Sequence, residues 1–357
     1  LTAVLKNLDK KYTKHQHKMI VRKKVLSTIL LFMGSCSAVL AATNADENNH
    51  VNKADKTDEN IVYLKFGNFD SWLIRNIKES GVIGGKTKTL YEIAPNGTWN
   101  NNNAYTNQGG SPWATSNVLA KVSGITKTNV SVYKEARQGH GYCAKLYTHL
   151  EECKVLGMVN IKVLAAGSIY LGQTLEPITG TKNPMSKLNA GLKFNKRPKA
   201  LMFDYRVKLA DSPTRVRQTG FSKVQTVSGK DMPDVILYLQ KRWEDAKGNI
   251  HSKRVGTLVH RFDSNTGGWV NNARFDIHYG NITDKSFYKS YMGLTAGDNI
   301  KYARNSKGKM VKIIEEGWAD EDETPTHICL QFDSSHGGAY VGLSLIHISE
   351  PTRLRCI

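Results

Sequence analysis

Apolar and polar residues alternate along much of the chain between Ile61 and Gly342. In "ALMFDYRVKL", Phe203, Tyr205, Val207 and Leu209 fall on one side and Asp204, Arg206 and Lys208 on the other. "ARFDIHY" sets Phe275, Ile277 and Tyr279 against Arg274, Asp276 and His278, and "HICLQFD" groups Ile328, Leu330 and Phe332. "DVILYLQKRW" sets Val235, Leu237 and Leu239 against Ile236 and Tyr238. A period of two is the mark of a strand with one buried face. "VLGMVNIKVL" (155–164) is mixed and suits a strand buried on both sides. Turn clusters separate the runs: "DAKGN" at 245–249, "DSNTGG" at 263–268 and "NSKGK" at 305–309. The first of these predicts a hairpin around Lys247–Gly248. Helical spacing is weak, and "SWLIRNIKES", with Leu73, Ile74 and Ile77, is its best example and predicts a short helix. Short, evenly spaced strands predict an all-β fold, a β-sandwich or jelly roll.

The flanks read differently. Met19 opens "MIVRKKVLSTILLFMGSCSAVLAAT", a charged start, an apolar run too short to span a bilayer, then small residues. Residues 19–42 thus read as a secretory signal, and 1–18 as upstream sequence or a mis-called start. Cleavage near Ala41 or Ala42 gives a free protein. Cys36, after "MGS", resembles a bacterial lipobox, with Met33 an imperfect match, and its lipidated thiol would hold the protein at a membrane surface. Either route carries the chain out of the cytoplasm, to the cell surface or outer membrane, the periplasm or the medium. Residues 43–60, "TNADENNHVNKADKTDEN", are polar and form a flexible tether. At the other end, "LSLIHISEPTR" reverse-translates onto a common sequencing adapter. Residues 344–357 therefore read as translated adapter, so that the domain spans 61–343 and lacks its own last strand.

Composition narrows the function. The formal charge is +19, yet its lysines are scattered, as on a solvated face. No zinc spacing or aromatic–basic fingerprint supports nucleic-acid binding. Of five cysteines, Cys143 and Cys153 are spaced to pair in an oxidising compartment, Cys329 is left over, and no C-x-x-C exists. There is no G-x-S-x-G, and no cofactor is implied beyond a structural calcium.

Several stretches resemble one family. They are "FGNFDSW" at the entry, "GGSPWATSNV" (109–118), "AGSIYLG" (166–172), "LNAGLKFNKRPKALMFDYRVKL" (188–209), "GGWVNNARFDIHY" (267–279) and "ICLQFDSSHGGAYVG" (328–342). Together they are similar to the putative carbohydrate metabolism domain (PCMD) of Bacteroidetes, over roughly Phe66 to Gly342. The succession AG-x-x-Y-x-G … RP-x-x-L-x-F-x-Y is its most specific part. The resemblance implies a secreted or lipid-anchored jelly-roll sandwich, like carbohydrate-binding modules and glucanase-like folds, acting on glycans. It also implies a closing strand of the GS-x-L-x-V-D kind after "SSHGGAYVG", where this chain departs.

Sugar recognition needs aromatic faces for the C–H side of a pyranose and amides or charges for its hydroxyl rim. The loop "NGTWNNNNAYTNQGGSPWATSN" (96–117) offers both, so Trp99, Tyr105, Trp113 and Asn117 are the carbohydrate-binding candidates. Trp72, Trp243, Trp269 and Trp318 read as packing. Glycoside hydrolysis would need two facing carboxylates, and Asp204 and Asp276, on outward strand positions, are the candidate pair. Calcium would fall to Asp320 and Asp322 in "ADEDETPTH", although the spaced loop pattern is missing. Capture of a polysaccharide or oligosaccharide is the leading reading. A glycoside hydrolase and a non-enzymatic adhesion or structural module are the alternatives.

Overall fold

The computed structural model describes residues 61–357 apart from 156–158, 181–183, 218–224, 337–338, 341–344 and 357. Cys36 and the proposed signal and tether lie outside the described residues. The described chain is all-β, and its only helical pieces are four short 3-10 turns. None of its helices is long and apolar enough to cross a membrane, which says nothing of strands.

Two sheets make the sandwich. One runs Val270–Asp276, Pro198–Lys208, Leu345–Cys356, Tyr142–Tyr147, Val132–Ala136, with Ile61–Tyr63 also paired to Leu345–Cys356. The other runs Leu192–Lys193, His327–Asp333, Asp234–Glu244, Ile250–Arg261, Met310–Trp318, Tyr302–Arg304, Leu188–Ala190, Ser168–Thr174, Trp113–Thr115. His327–Asp333 pairs with Asp234–Glu244 on one side and, at its end, with Ser168–Thr174 on the other. The larger sheet thereby curls back on itself and acquires a concave face.

The core fills the space between the sheets. Leu201, Phe203 and Val207 from one meet Val235, Leu237, Leu330 and Phe332 from the other. Phe203 meets Phe332 edge to face, with centroids 4.9 Å apart. These are the apolar positions that the alternation assigns to the inner face, and the Asp234–Glu244 and Ile250–Arg261 hairpin turns at 245–249 as expected. Asp245 accepts from both the backbone and side-chain nitrogens of Asn249, and Gly248 supplies the positive φ that the turn needs.

Leu345–Cys356, the stretch read as foreign, occupies the closing strand's place between Pro198–Lys208 and Tyr142–Tyr147. Leu345, Ile346, Ile348 and Leu354 are buried there. An apolar-rich segment of sufficient length meets the geometric demands of the slot whatever its origin, so the sheet shows no open edge at this position.

The predicted helix at "SWLIRNIKES" is a strand, Trp72–Lys78, between Thr87–Ile93 and Gly97–Trp99. Leu73, Arg75 and Ile77 are buried, and so is Trp72. Leu73, Arg75 and Ile77 share the buried face, but Arg75 on that face is charged and Ile74 on the other is apolar, so the period of two is hidden and Leu73, Ile74 and Ile77 mimic helical spacing. Cys143 is a free, buried thiol, not half of a disulfide, and burial pushes its pKa up to about 12.

Candidate functional site

The predicted sugar loop folds inward. Trp113 is 0% exposed, packs edge-on against Phe69 and donates its indole N–H to the Lys65 carbonyl at 2.9 Å. Asn117 is buried: its amide nitrogen donates to Tyr91 O and Val132 O, and its oxygen accepts from the backbone N–H groups of Ser131 and Val132. Tyr105 is buried beside the half-buried Trp99 in a satellite cluster with Leu73 and Ala94. The asparagines splice the loop to a strand edge. Asn102 accepts from the Lys78 N–H and donates to the Lys78 carbonyl, copying a neighbouring strand, and Asn76 donates to Asn100. Trp113, Tyr105 and Asn117 are therefore structural, and their faces are spent on protein. Replacing Trp113 by Ala is expected to cost about 3–5 kcal/mol of stability, read by urea denaturation, instead of removing a ligand platform.

The anchor that draws the loop in is ionic. Arg75, fully buried, pairs with Glu92 at 2.7 Å and Glu176 at 2.6 Å, and also donates to the Asn103 carbonyl. Glu176 accepts from the backbone N–H groups of Tyr105 and Leu119. Burial raises the Glu92 pKa to about 8 against the pull of Arg75.

The predicted catalytic pair does not face across a cleft. Asp204 is 3% exposed, contrary to its outward assignment, and is held by Arg137 at 2.9 Å and by the Asn272 N–H at 2.7 Å. A register shift lies beside Asp204, and Arg137, which also lies over the Trp269 ring, covers its carboxylate. Asp276 is exposed, pairs with Arg274, and lies in register with Ala200, four residues from Asp204 along the strand, or about 13 Å. Asp320 and Asp322 are exposed on their loop, and Arg197 takes the carbonyls of Glu321 and Glu323. Among the described residues no group of three or more His, Cys, Asp or Glu could hold a metal ion, at Asp320 and Asp322 or elsewhere.

A different region has the shape of a site. On the concave side of the larger sheet lies a groove of about 340 Å³. Val118, Ile178, Met185 and Leu188 give it apolar walls, and Tyr170 and Tyr302 contribute rings. Ser116, Ser168, Lys301 and Gln331 supply polar atoms. The volume lies at the lower end of the small-ligand range. Gln331 is fixed at both ends: Lys301 donates to its oxygen, and its nitrogen donates to both Asp333 oxygens at 2.9 and 2.8 Å.

Behind this wall stands a carboxyl pair that sequence reasoning did not find. Asp234 and Asp333 are directly opposed on neighbouring strands, so their side chains share one face, and both are buried. Ser168 donates to Asp333. Burial, then the Asp333 charge, lifts the Asp234 pKa well above the usual carboxylate range, and burial raises that of Asp333. A raised acid pKa makes the folded state the better proton binder, so this contribution to stability is fully present below the ordinary carboxylate pKa of the unfolded chain and is lost as pH rises from there through the folded value. Asp234→Asn, which removes the charge and the titration of that residue, should flatten this decline. Denaturant midpoints measured between pH 5 and 9 check it. The signal available in the sequence was the parity of Asp234, Ile236 and Tyr238 with Gln331 and Asp333 on the non-core face.

Among solved structures, the chain is similar to a putative glycoside hydrolase from Bacteroides thetaiotaomicron, with 16% identity and a TM-score of 0.39, over 80% of this chain and 70% of that one. A putative glycoside hydrolase from Bacteroides vulgatus matches with 12% identity and the same TM-score, over 84% of this chain and 98% of that one. No curated protein sequence matches. The family model described as "putative carbohydrate metabolism domain" matches residues 79–261, which hold the loop, most of the groove walls and Asp234. The chain belongs to the putative carbohydrate metabolism domain family, and its role is carbohydrate-related.

Proposed function

We propose that the protein binds a short saccharide unit of a larger glycan in the concave groove and does not cleave it. The observation that carries this reading is the groove itself, in which apolar walls and tyrosine rings adjoin a prearranged polar end at Lys301 and Gln331. Fixing Gln331 between Lys301 and Asp333 lowers the ordering cost of binding.

Binding without cleavage is favoured by the burial of the carboxyls. A glycosidase needs two carboxyls flanking the scissile bond, with room between them for the sugar or water. Asp234 and Asp333 are buried behind the groove, and the oxygens of Asp333 accept from Ser168 and Gln331. Their arrangement suits a support for Ser168 and Gln331.

Calorimetric titration of mono- and disaccharides against the full chain tests the reading. Tyr302→Ala and Gln331→Ala should each weaken binding at least about tenfold, or ~1.4 kcal/mol. Unchanged affinity in both variants would remove the site from the groove. Release of reducing ends that stops in Asp234→Asn would replace binding with hydrolysis.

The signal pattern of residues 19–42 supports action outside the cytoplasm, with Cys36 as the lipid attachment point. Incorporation of labelled palmitate that survives Cys36→Ser would refute that attachment.

A further inference from the structure

Trp243 differs from the other tryptophans named above. It is 41% exposed, near the end of Asp234–Glu244, and the opposite parity to Asp234 and Tyr238 puts it on the other face of the sheet from the groove. One side of its ring is covered by His251, its cross-strand partner, with centroids 5.7 Å apart and planes 15° from parallel. The imidazole is itself held. Nδ1 lies 2.6 Å from Glu316 and Nε2 3.3 Å from Asp245, so both nitrogens face carboxylates that hold the ring in place. Hydrogen bonds to Asp245 and then Glu316 raise its pKa. Asp245 is in turn fixed by Asn249 in the hairpin turn. The indole is therefore backed by a rigid stack, and its outer face is free of the ring contacts that occupy buried Trp113.

The stripe continues on the next strand. His251 is in register with Ile314, which is 43% exposed. Trp243, His251 and Ile314 thus cross three adjacent strands, about 10 Å from first to last. Glu316 and Asp245 border the stripe with oxygens that accept hydrogen bonds. A preoriented aromatic face, an apolar continuation and acceptor oxygens at the rim match the C–H face and hydroxyls of a pyranose. The rim carboxylates would repel an acidic sugar.

We infer that Trp243, backed by His251 and continued by Ile314, is a second carbohydrate-binding surface, one that stacks an uncharged pyranose segment of a polysaccharide chain. This rests on the glycan-binding reading of the groove. Two separated contacts on one polymer raise retention through effective concentration, although each alone is weak. A short oligosaccharide engages the groove without needing the stripe.

The experiment compares two ligands on the full chain: affinity electrophoresis through a panel of neutral polysaccharides, and calorimetric titration of short oligosaccharides cut from the same polymers. Trp243→Ala should weaken polymer retention about tenfold and leave oligosaccharide affinity unchanged. Trp243→Tyr, which keeps a stacking ring, should retain most of the effect. His251→Ala, which frees the indole, should lose part of it. Thermal unfolding of each variant confirms an intact fold, as expected for an exposed position. Polymer retention unchanged in Trp243→Ala overturns the stripe and leaves the groove standing. Oligosaccharide binding without polymer retention in the wild type does the same. Absence of binding to both ligands by the folded wild type overturns the stripe and the groove together.

Discussion

A chain ending at residue 342 should show no cooperative unfolding transition and should aggregate. Leu345–Cys356 pairs with Pro198–Lys208 on one side and with Tyr142–Tyr147 and Ile61–Tyr63 on the other. Its loss splits the smaller sheet in two. It also removes Leu345, Ile346, Ile348 and Leu354 from the interior. At about 1.5–3 kcal/mol for each buried side chain, the four contribute about 6–12 kcal/mol. That is comparable to the whole net stability of a domain, about 5–15 kcal/mol. The two open strand edges would then template aggregation. Calorimetry of the shortened chain is the measurement, and a sharp transition near that of the full chain would contradict the expectation.

Arg75→Met should cost about 3–5 kcal/mol, the usual loss when one partner of a buried ion pair is removed. The guanidinium has two carboxylates within 2.7 Å and almost no exposure, so its removal strands Glu92 and Glu176 in the interior. The damage should reach the 96–117 segment, because Arg75 holds the Asn103 carbonyl and stacks near Tyr105, with the guanidinium 5.4 Å from the ring centre. In the variant the stranded Glu92, already raised by burial, favours protonation when folded. Its deficit should therefore shrink as pH falls toward the ordinary carboxylate range and grow as pH rises. Adding Glu92→Gln should restore part of the loss at neutral pH by removing the charge. Urea denaturation at pH 5 and pH 8 reads both effects. A pH-independent deficit would show that lost packing, not stranded charge, is the cause.

The two errors over the loop and the entry strand share a cause. "NGTWNNNNAYTNQGGSPWATSN" has the composition of an exposed binding loop, and local composition is all that a sequence window displays. What turns it inward is Arg75 from one strand, Glu92 from the next, and Glu176 from a segment about a hundred positions away. No local period records such a meeting. Trp72–Lys78 lost its hydrophobic alternation for a related reason, since the buried face carries the charged Arg75, which only its distant partners Glu92 and Glu176 make tolerable there.

By itself the sequence determined the all-β class, the family, and the strands in which one face meets the core and the other does not, because burial of alternate side chains writes itself directly as a period of two. It also determined the 245–249 turn, where Asp245, Gly248 and Asn249 are chemically matched to the backbone. The tertiary structure alone decided which aromatic residues are spent on the interior, that Asp234 meets Asp333, and where a groove opens. Those depend on strand order and on the curl that returns His327–Asp333 to Ser168–Thr174, and so bring residues from 116 to 331 to one hollow. Side-chain parity is a local property of a chain, whereas a site is a convergence of distant segments that only sheet pairing specifies.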